Sequence, residues 1–373
     1  MLNSVAVAGK IVAVLTIASI NIGAGHRADS TSAGVRSAQW FLSYLHVDEA
    51  HSTSQGSGVI VGIPDSGVSI HPDLRGSVLA GADMVDGGDG SGHTDQIGHG
   101  TQMAGLIAAH GRNGDGALGI APSAQLLPIK IFGSADQDVD LPAGITWAAE
   151  NGAKVISVSS VAAPSRQLSA SLKSARAHDA LVVAAAGNRS EHLFPQLPAA
   201  VPEVLAVGAV NRSGAHARYS VTGGELDICA PGTEIVTTGL SESYRITDGT
   251  SAAAAIVAGA AALVRSEFPE LSAQEVVHRL TATATDIGPP GRDDECGFGV
   301  LNIVKALTAD VPPLASSSTP ASETNGSETT GPAAAPDSTP ARATAAAVVG
   351  IVAAIVAIST LVAFLAVRRR RRS

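Results

Sequence analysis

Apolar positions along the chain fall into short unbroken runs, separated by stretches in which they recur at helical spacing. Gly58 to Ile63, Gln125 to Ile131, Lys154 to Val158 and Leu181 to Ala186 are apolar with little alternation, the pattern of strands buried on both faces. Between them the period changes. Thr101 to His110, a segment opened by Pro142 and running to Ala149, and Leu168 to His178 predict helices. Pro142 stands at a first helical position, where its missing N–H costs nothing. Strand, helix and strand in succession give an α/β fold, a mostly parallel sheet with helices on both faces in three layers. Ligand sites in such sheets gather at the carboxyl ends of strands. Ala252 to Phe268 is apolar almost all round and predicts a helix buried at the centre. Ser272 and Glu275 have the spacing of a capping box for the last helix of this body.

The two ends of the chain differ from this body. Ile11 to Gly25 is uncharged, follows Lys10 and closes on small residues, which predicts a secretory signal peptide over 1–25. An N-terminal extension, 26–57, follows; it is too short for an independent pro-domain. Its apolar Trp40, Phe41, Leu42 and Leu45 are expected to pack on the body, 58–309. Asp310 to Arg342 holds 17 Pro, Ser and Thr among 33 residues and no aromatic, a composition that cannot pack and predicts a semi-extended stalk. Ala343 to Val367 is 25 uncharged residues, about 37 Å as a helix at ~1.5 Å per residue, enough for a single C-terminal transmembrane helix. Arg368 to Arg372 come next and predict that the tail, 368–373, is cytoplasmic and the body outside.

Charge narrows the partners. The chain has 24 Lys and Arg against 33 Asp and Glu, and without the terminal arginines the balance is 19 to 33. An acidic body argues against nucleic acid as a partner, since phosphate neutralisation supplies most of that affinity. Cys229 and Cys296 are the only cysteines, too few for a zinc ribbon or a disulfide-dense scaffold. Outside the cytoplasm they stand either as two buried thiols or as one disulfide.

Three short segments fall where this fold puts chemistry. Asp65-Ser66-Gly67 ends the first strand, Gly98-His99-Gly100-Thr101 opens the first helix, and Gly249-Thr250-Ser251 opens the buried one. Each alone reads as a turn or a helix start. Together they give Asp, His and Ser at spacings of 34 and 152 residues, the chain order of subtilisin. A serine hydroxyl is a poor nucleophile at neutral pH. It needs a base such as His99 to take its proton, and a carboxylate such as Asp65 to fix the imidazole tautomer.

With Ile63 to Val68, His71 to Leu74, Gly98 to Gly105, Gly119 to Pro122, Ala185 to Asn188, Ala230 to Gly232 and Gly249 to Ala253, the chain resembles the subtilisin-like serine proteases from about Gly58 to Ala306. The resemblance implies catalytic Asp65, His99 and Ser251, an oxyanion donor in Asn188, a polypeptide substrate paired along Ser159, Ser160 and Val161, and no cofactor. Signal peptide, stalk, single span and basic tail together resemble the mycosins, membrane-anchored proteases associated with type VII secretion complexes in actinobacteria. Three departures mark the chain. Ala252 and Ala255 replace the family's usual Met and Pro, and Ser159-Ser160-Val161-Ala162 replaces a Gly-containing substrate edge. The last implies a more restricted cleft and supplies the alternative reading, a structural subunit of a secretion complex that retains the protease fold. His93 and His99 with Asp83, Asp86, Asp89 and Asp95 lack the ligand order of a calcium loop, so no metal is expected there.

Overall fold

The computed structural model describes residues 27–28, 34–85, 90–112, 114–133 and 140–314. The expected signal peptide, most of the stalk, the apolar Ala343 to Val367 segment and the basic tail lie outside these residues. Among the described residues no helix is long and apolar enough to cross a membrane.

In chain order the elements are β1 (Arg27–Ala28), α1 (Val35–Ala38), α2 (Trp40–Tyr44), α3 (Val47–His51), β2 (Ile60–Asp65), β3 (Ala82–Asp83), α4 (His99–Ala108), β4 (His110–Arg112), β5 (Asp115–Leu118), β6 (Gln125–Lys130) and α5 (Leu141–Glu150). They continue as β7 (Val155–Val158), α6 (Arg166–Ala177), β8 (Leu181–Ala185), β9 (Leu205–Val210), β10 (Ile228–Pro231), β11 (Ile235–Thr238), β12 (Tyr244–Thr247), α7 (Thr250–Glu267), α8 (Ala273–Ala282) and α9 (Ile303–Thr308). The main sheet has seven strands in the order β10-β9-β8-β7-β2-β6-β3, and every adjacent pair is parallel. After β6 the chain crosses β2 to lay down β7 on its other side. β2 is therefore the point where the winding reverses, and the crevice beyond its carboxyl end is where such sheets hold ligands.

Pleating sends alternate residues of each strand into two cores. From β8, Leu181 and Val183 join Met103 and Leu106 of α4 and the alanine-rich face of α7. Val182 and Ala184 join Ile145 and Ala148 of α5 and Leu168 and Leu172 of α6. α7 is buried along nearly its whole length, which explains why its sequence carries no polar stripe. The capping box of α8 forms as the sequence predicts, Ser272 and Glu275 exchanging bonds with each other's backbone. Helix bounds shift slightly: the helix expected at Thr101 to His110 is His99–Ala108, because Ala109 turns extended and His110 begins a hairpin with β5.

Phe41, Leu42 and Leu45 sit in the core with α4 and α7. Beside them Gln39 is buried, its amide donating to the carbonyls of Leu118 (3.0 Å) and Val236 (3.1 Å) and accepting from Leu118 N–H (2.8 Å). β1 adds to β12 and β11 as a small antiparallel sheet. At the far edge of the main sheet, Cys229 in β10 is joined to Cys296 by a disulfide spanning 67 residues. The Cys229 amide donates to Gly299 O (2.9 Å), and Leu301 N–H donates to Cys229 O (2.8 Å).

Candidate active site

β2 delivers Asp65 to the crevice at the reversal point. The residue is fully buried, and its Oδ1 accepts the Ser66 amide at 2.7 Å. α4 brings the partner. His99 is its first residue, and its Nδ1 donates to both Asp65 oxygens, at 2.8 and 2.9 Å. Gly100 makes this approach possible. A Cβ there would lie 2.1 Å from the Gly67 carbonyl oxygen and 3.2 Å from Asp65 Cβ. Its amide instead donates to Ser66 Oγ at 2.9 Å, tying the first turn of the helix to the end of the strand.

The N-terminus of α4 has Gly98 as its cap residue and no side-chain cap there. Asp95 does that work from outside the helix. Its Oδ1 accepts from the Ile97 (3.0 Å) and Gly98 (2.7 Å) amides, and its Oδ2 from the Thr101 amide (3.0 Å) and hydroxyl (2.7 Å). Burial pushes the His99 imidazole down. The Asp65 charge and hydrogen bond, with a further contribution from the Asp95 charge, outweigh burial and hold it above its ordinary value.

α7 supplies the third residue. Ser251 is the second residue of the helix, after Gly249 at φ +146°, which caps it, and Thr250. Asn188 follows β8. Its Oδ1 accepts the Thr250 amide at 3.2 Å, an orientation that leaves the Nδ2 group for the cleft. Thr250 Oγ1 accepts the Gly187 amide at 3.1 Å. Tyr219 braces the same corner: its hydroxyl donates to Gly232 O and accepts the Gly249 amide at 3.3 Å. Burial raises the Tyr219 pKa to about 12, so the donor is retained across the neutral range.

One cleft is lined by His99, Ser159, Ser160, Val161, Asn188 and Ser251, with Asp65 behind the imidazole. Ser159 Oγ lies 3.5 Å from Ser251 O. An imidazole held through Nδ1 leaves Nε2 to exchange a proton with a hydroxyl, and an amide donor beside a helix N-terminus can bind developing negative charge. Glu191 and His192 also line the cleft; the sequence reading missed both, because they lie in a loop without motif character. The sequence reading weighed Asp95 only within the acidic run considered for a metal and missed its place before the helix start. The local rule that could have found it is acid before a helix start. Among the described candidate metal residues, His99 and Asp95 hold the contacts given above. His93 Nε2 bonds Leu79 O at 2.7 Å, Asp83 lies 3.7 Å from Lys130 Nζ, and Asp86 and Asp89 lie outside the described residues.

Residues 56–299 match the Subtilase family, and the chain belongs to this family of serine proteases. Subtilisin BL of Lederbergia lenta is 38% identical over 257 residues, which cover 68% of this chain and 93% of that protein. Among solved structures, MycP1 from Mycobacterium smegmatis matches with a TM-score of 0.67 at 28% identity, over 77% of this chain and 88% of the other. An intact ESX-5 inner membrane complex contains a chain matching with a TM-score of 0.67 at 29% identity, over 87% of this chain and 88% of the other. The chain is a subtilisin-type serine protease of mycosin-like kind.

Proposed function

We propose that the protein is a membrane-tethered, extracytoplasmic serine endopeptidase that works beside a type VII secretion complex. The observation that carries the catalytic part is the bidentate His99–Asp65 pair, at 2.8 and 2.9 Å, opening on a cleft shared with Ser251 and Asn188. Ser251 Oγ attacks the scissile carbonyl while His99 Nε2 takes its proton. Asp65 stabilises the imidazolium through Nδ1. The oxyanion is met by Asn188 Nδ2 and by the N–H groups opening α7. Loss of one such donor costs about 10² to 10³ in kcat in the subtilisin case. His99 returns the proton to the leaving amine, and water then hydrolyses the acyl-enzyme by the same steps. Ser159, Ser160 and Val161 pair with the substrate backbone along the cleft wall.

The tether is supported by the uncharged Ala343 to Val367 stretch and the arginine run after it. The match to a chain of an inner membrane complex, over 87% of this chain, supports the location and the partner. Labelling by a fluorophosphonate tests the chemistry. Wild-type protein should be labelled, and Ser251→Ala should not; equal labelling would remove Ser251 from its role, and no labelling of either would favour a non-catalytic subunit. Protease accessibility of the body and the tail in sealed vesicles tests the topology.

A further inference from the structure

The cleft carries charge that the hydrolytic steps do not use. The Asn188 carbonyl accepts the amides of Glu191 (3.0 Å) and His192 (2.9 Å), so the chain folds back on itself directly after β8. Arg189 is drawn away by this turn: its Nε donates to Ser220 O at 2.9 Å and its Nη2 to Thr222 Oγ1 at 3.1 Å. Glu191 and His192 are instead left on the cleft wall with Val161 and Ser251. Their side chains are only 20% and 17% exposed, and Glu191 Oε2 lies 3.8 Å from His192 Nε2. The imidazole lies over Gly187, where a Cβ would come within 3.1 Å of His192 Cδ2.

No lysine or arginine lines this cleft among the described residues. Asp248, the other carboxylate on its wall, is exposed and gives Oδ1 to the Glu234 amide at 2.8 Å. Burial raises the Glu191 pKa, partly offset by the Ser190 hydroxyl, and burial lowers that of His192. The wall therefore presents a half-desolvated carboxylate beside an imidazole that favours its neutral form. A carboxylate in that condition is stabilised by a cation that brings its own hydrogen-bond donors.

We propose that the cleft selects a lysine or arginine side chain next to the scissile carbonyl, with Glu191 as the selecting group. The inference rests on the catalytic reading of the same cleft and deepens it by naming the substrate class. Asn188, placed to hold the scissile carbonyl oxygen, is three residues from Glu191 and joined to it through the turn, so the side chain flanking that carbonyl is the one that reaches the acid.

Two measurements test it. In the first, peptides differing only in the residue before the cleaved bond (Lys, Arg, norleucine or Glu) are compared by kcat/KM. Lys and Arg should lead norleucine, Glu191→Gln should cut that ratio roughly 10- to 100-fold, and Glu191→Asp should keep part of it. A ratio unchanged in Glu191→Gln, or a wild-type preference for norleucine or Glu, overturns the proposal. In the second, p-aminobenzamidine fluorescence measures binding of a bare cation to Ser251→Ala with and without Glu191→Gln, which needs no turnover. At least a tenfold weaker affinity in the double variant supports the acid's role; equal affinity overturns it. A protein that binds the cation through Glu191 but hydrolyses no peptide overturns the catalytic reading alone. One that hydrolyses peptides without this discrimination overturns only the selectivity.

Discussion

Gly100→Ala is the substitution most directly tied to the geometry of the candidate site. The added Cβ would meet the Gly67 carbonyl oxygen at 2.1 Å, where ordinary contact begins near 3.4 Å, and Asp65 Cβ at 3.2 Å. Both neighbours are parts of the chain that cannot swing aside, so the first turn of α4 must withdraw by about 1 Å. Withdrawal of that size would stretch the His99–Asp65 bonds from 2.8 and 2.9 Å to nearly ~4 Å, outside hydrogen-bonding range. A misplacement of about 1 Å can cost about 10²-fold in rate. Overpacking itself costs about 1–3 kcal/mol, or roughly 2–12 °C in Tm for a domain of this size. The assay is kcat/KM on a peptide substrate across pH, with thermal melting in parallel. Beyond the drop in rate, the acid limb should move to lower pH. Burial, which lowers the His99 pKa, persists, while the Asp65 contribution that raises it weakens. A variant that is merely less stable would keep the limb in place. Hydrolysis within about threefold of wild type, with an unchanged limb, would refute the idea that this contact sets the pair.

The raised His99 pKa also affects stability. Relative to His99→Gln, the wild type should gain most below about pH 6.5, the unfolded value, and lose that gain as pH rises through the folded value; melting curves from pH 5 to 9 would reveal a flat difference if this is wrong. Replacing Cys229 and Cys296 by serine opens a loop of 67 residues and should cost about 4 kcal/mol on the chain-entropy account, read as a lower denaturant midpoint with a steeper slope, because the unlinked unfolded chain exposes more surface. A chain ending at Leu314 keeps every described residue of the body and should hydrolyse small peptides at the full-length rate while cleaving a secreted substrate less well in cells. Equal loss in both assays would mean that the remaining segment supports the fold.

Periodicity was enough for the parts of the fold governed by burial. β2, β6, β7 and β8 are apolar because both faces are covered, and α7 is legible for the same reason. β9 escaped notice although it is wholly buried, since Leu205 to Val210 is rich in alanine and glycine and lacks a β-branched run. β11 and β12 owe their existence to pairing with each other and with β1, a register that no local pattern encodes. In the site, Asp65, His99 and Ser251 could be picked out because each closes or opens an element with its own spacing and flanking glycines, whereas Asn188 came only from the resemblance to the subtilisin-like proteases. The structure puts them around one cleft. Glu191 and His192 arrive there through a backbone turn onto the Asn188 carbonyl, and two residues of a polar loop give no sign of which way that turn will face. The roles of Ser159 to Val161 likewise depend on which strand end stands beside Ser251.

The covered flank of β10 bears on how copies of this protein behave toward one another. An outermost strand normally offers a row of open amides and carbonyls onto which a foreign chain can add, the first step of sheet-to-sheet growth. Here the protein's own segment around Gly299 to Leu301 occupies part of that row, and the Cys229–Cys296 link fastens it against peeling. Ile228, Cys229 and Ala230 beneath it are fully buried and would form an adhesive apolar strip if laid bare. In a reducing compartment the fastening would be absent, and copies would be prone to zip together along this strand.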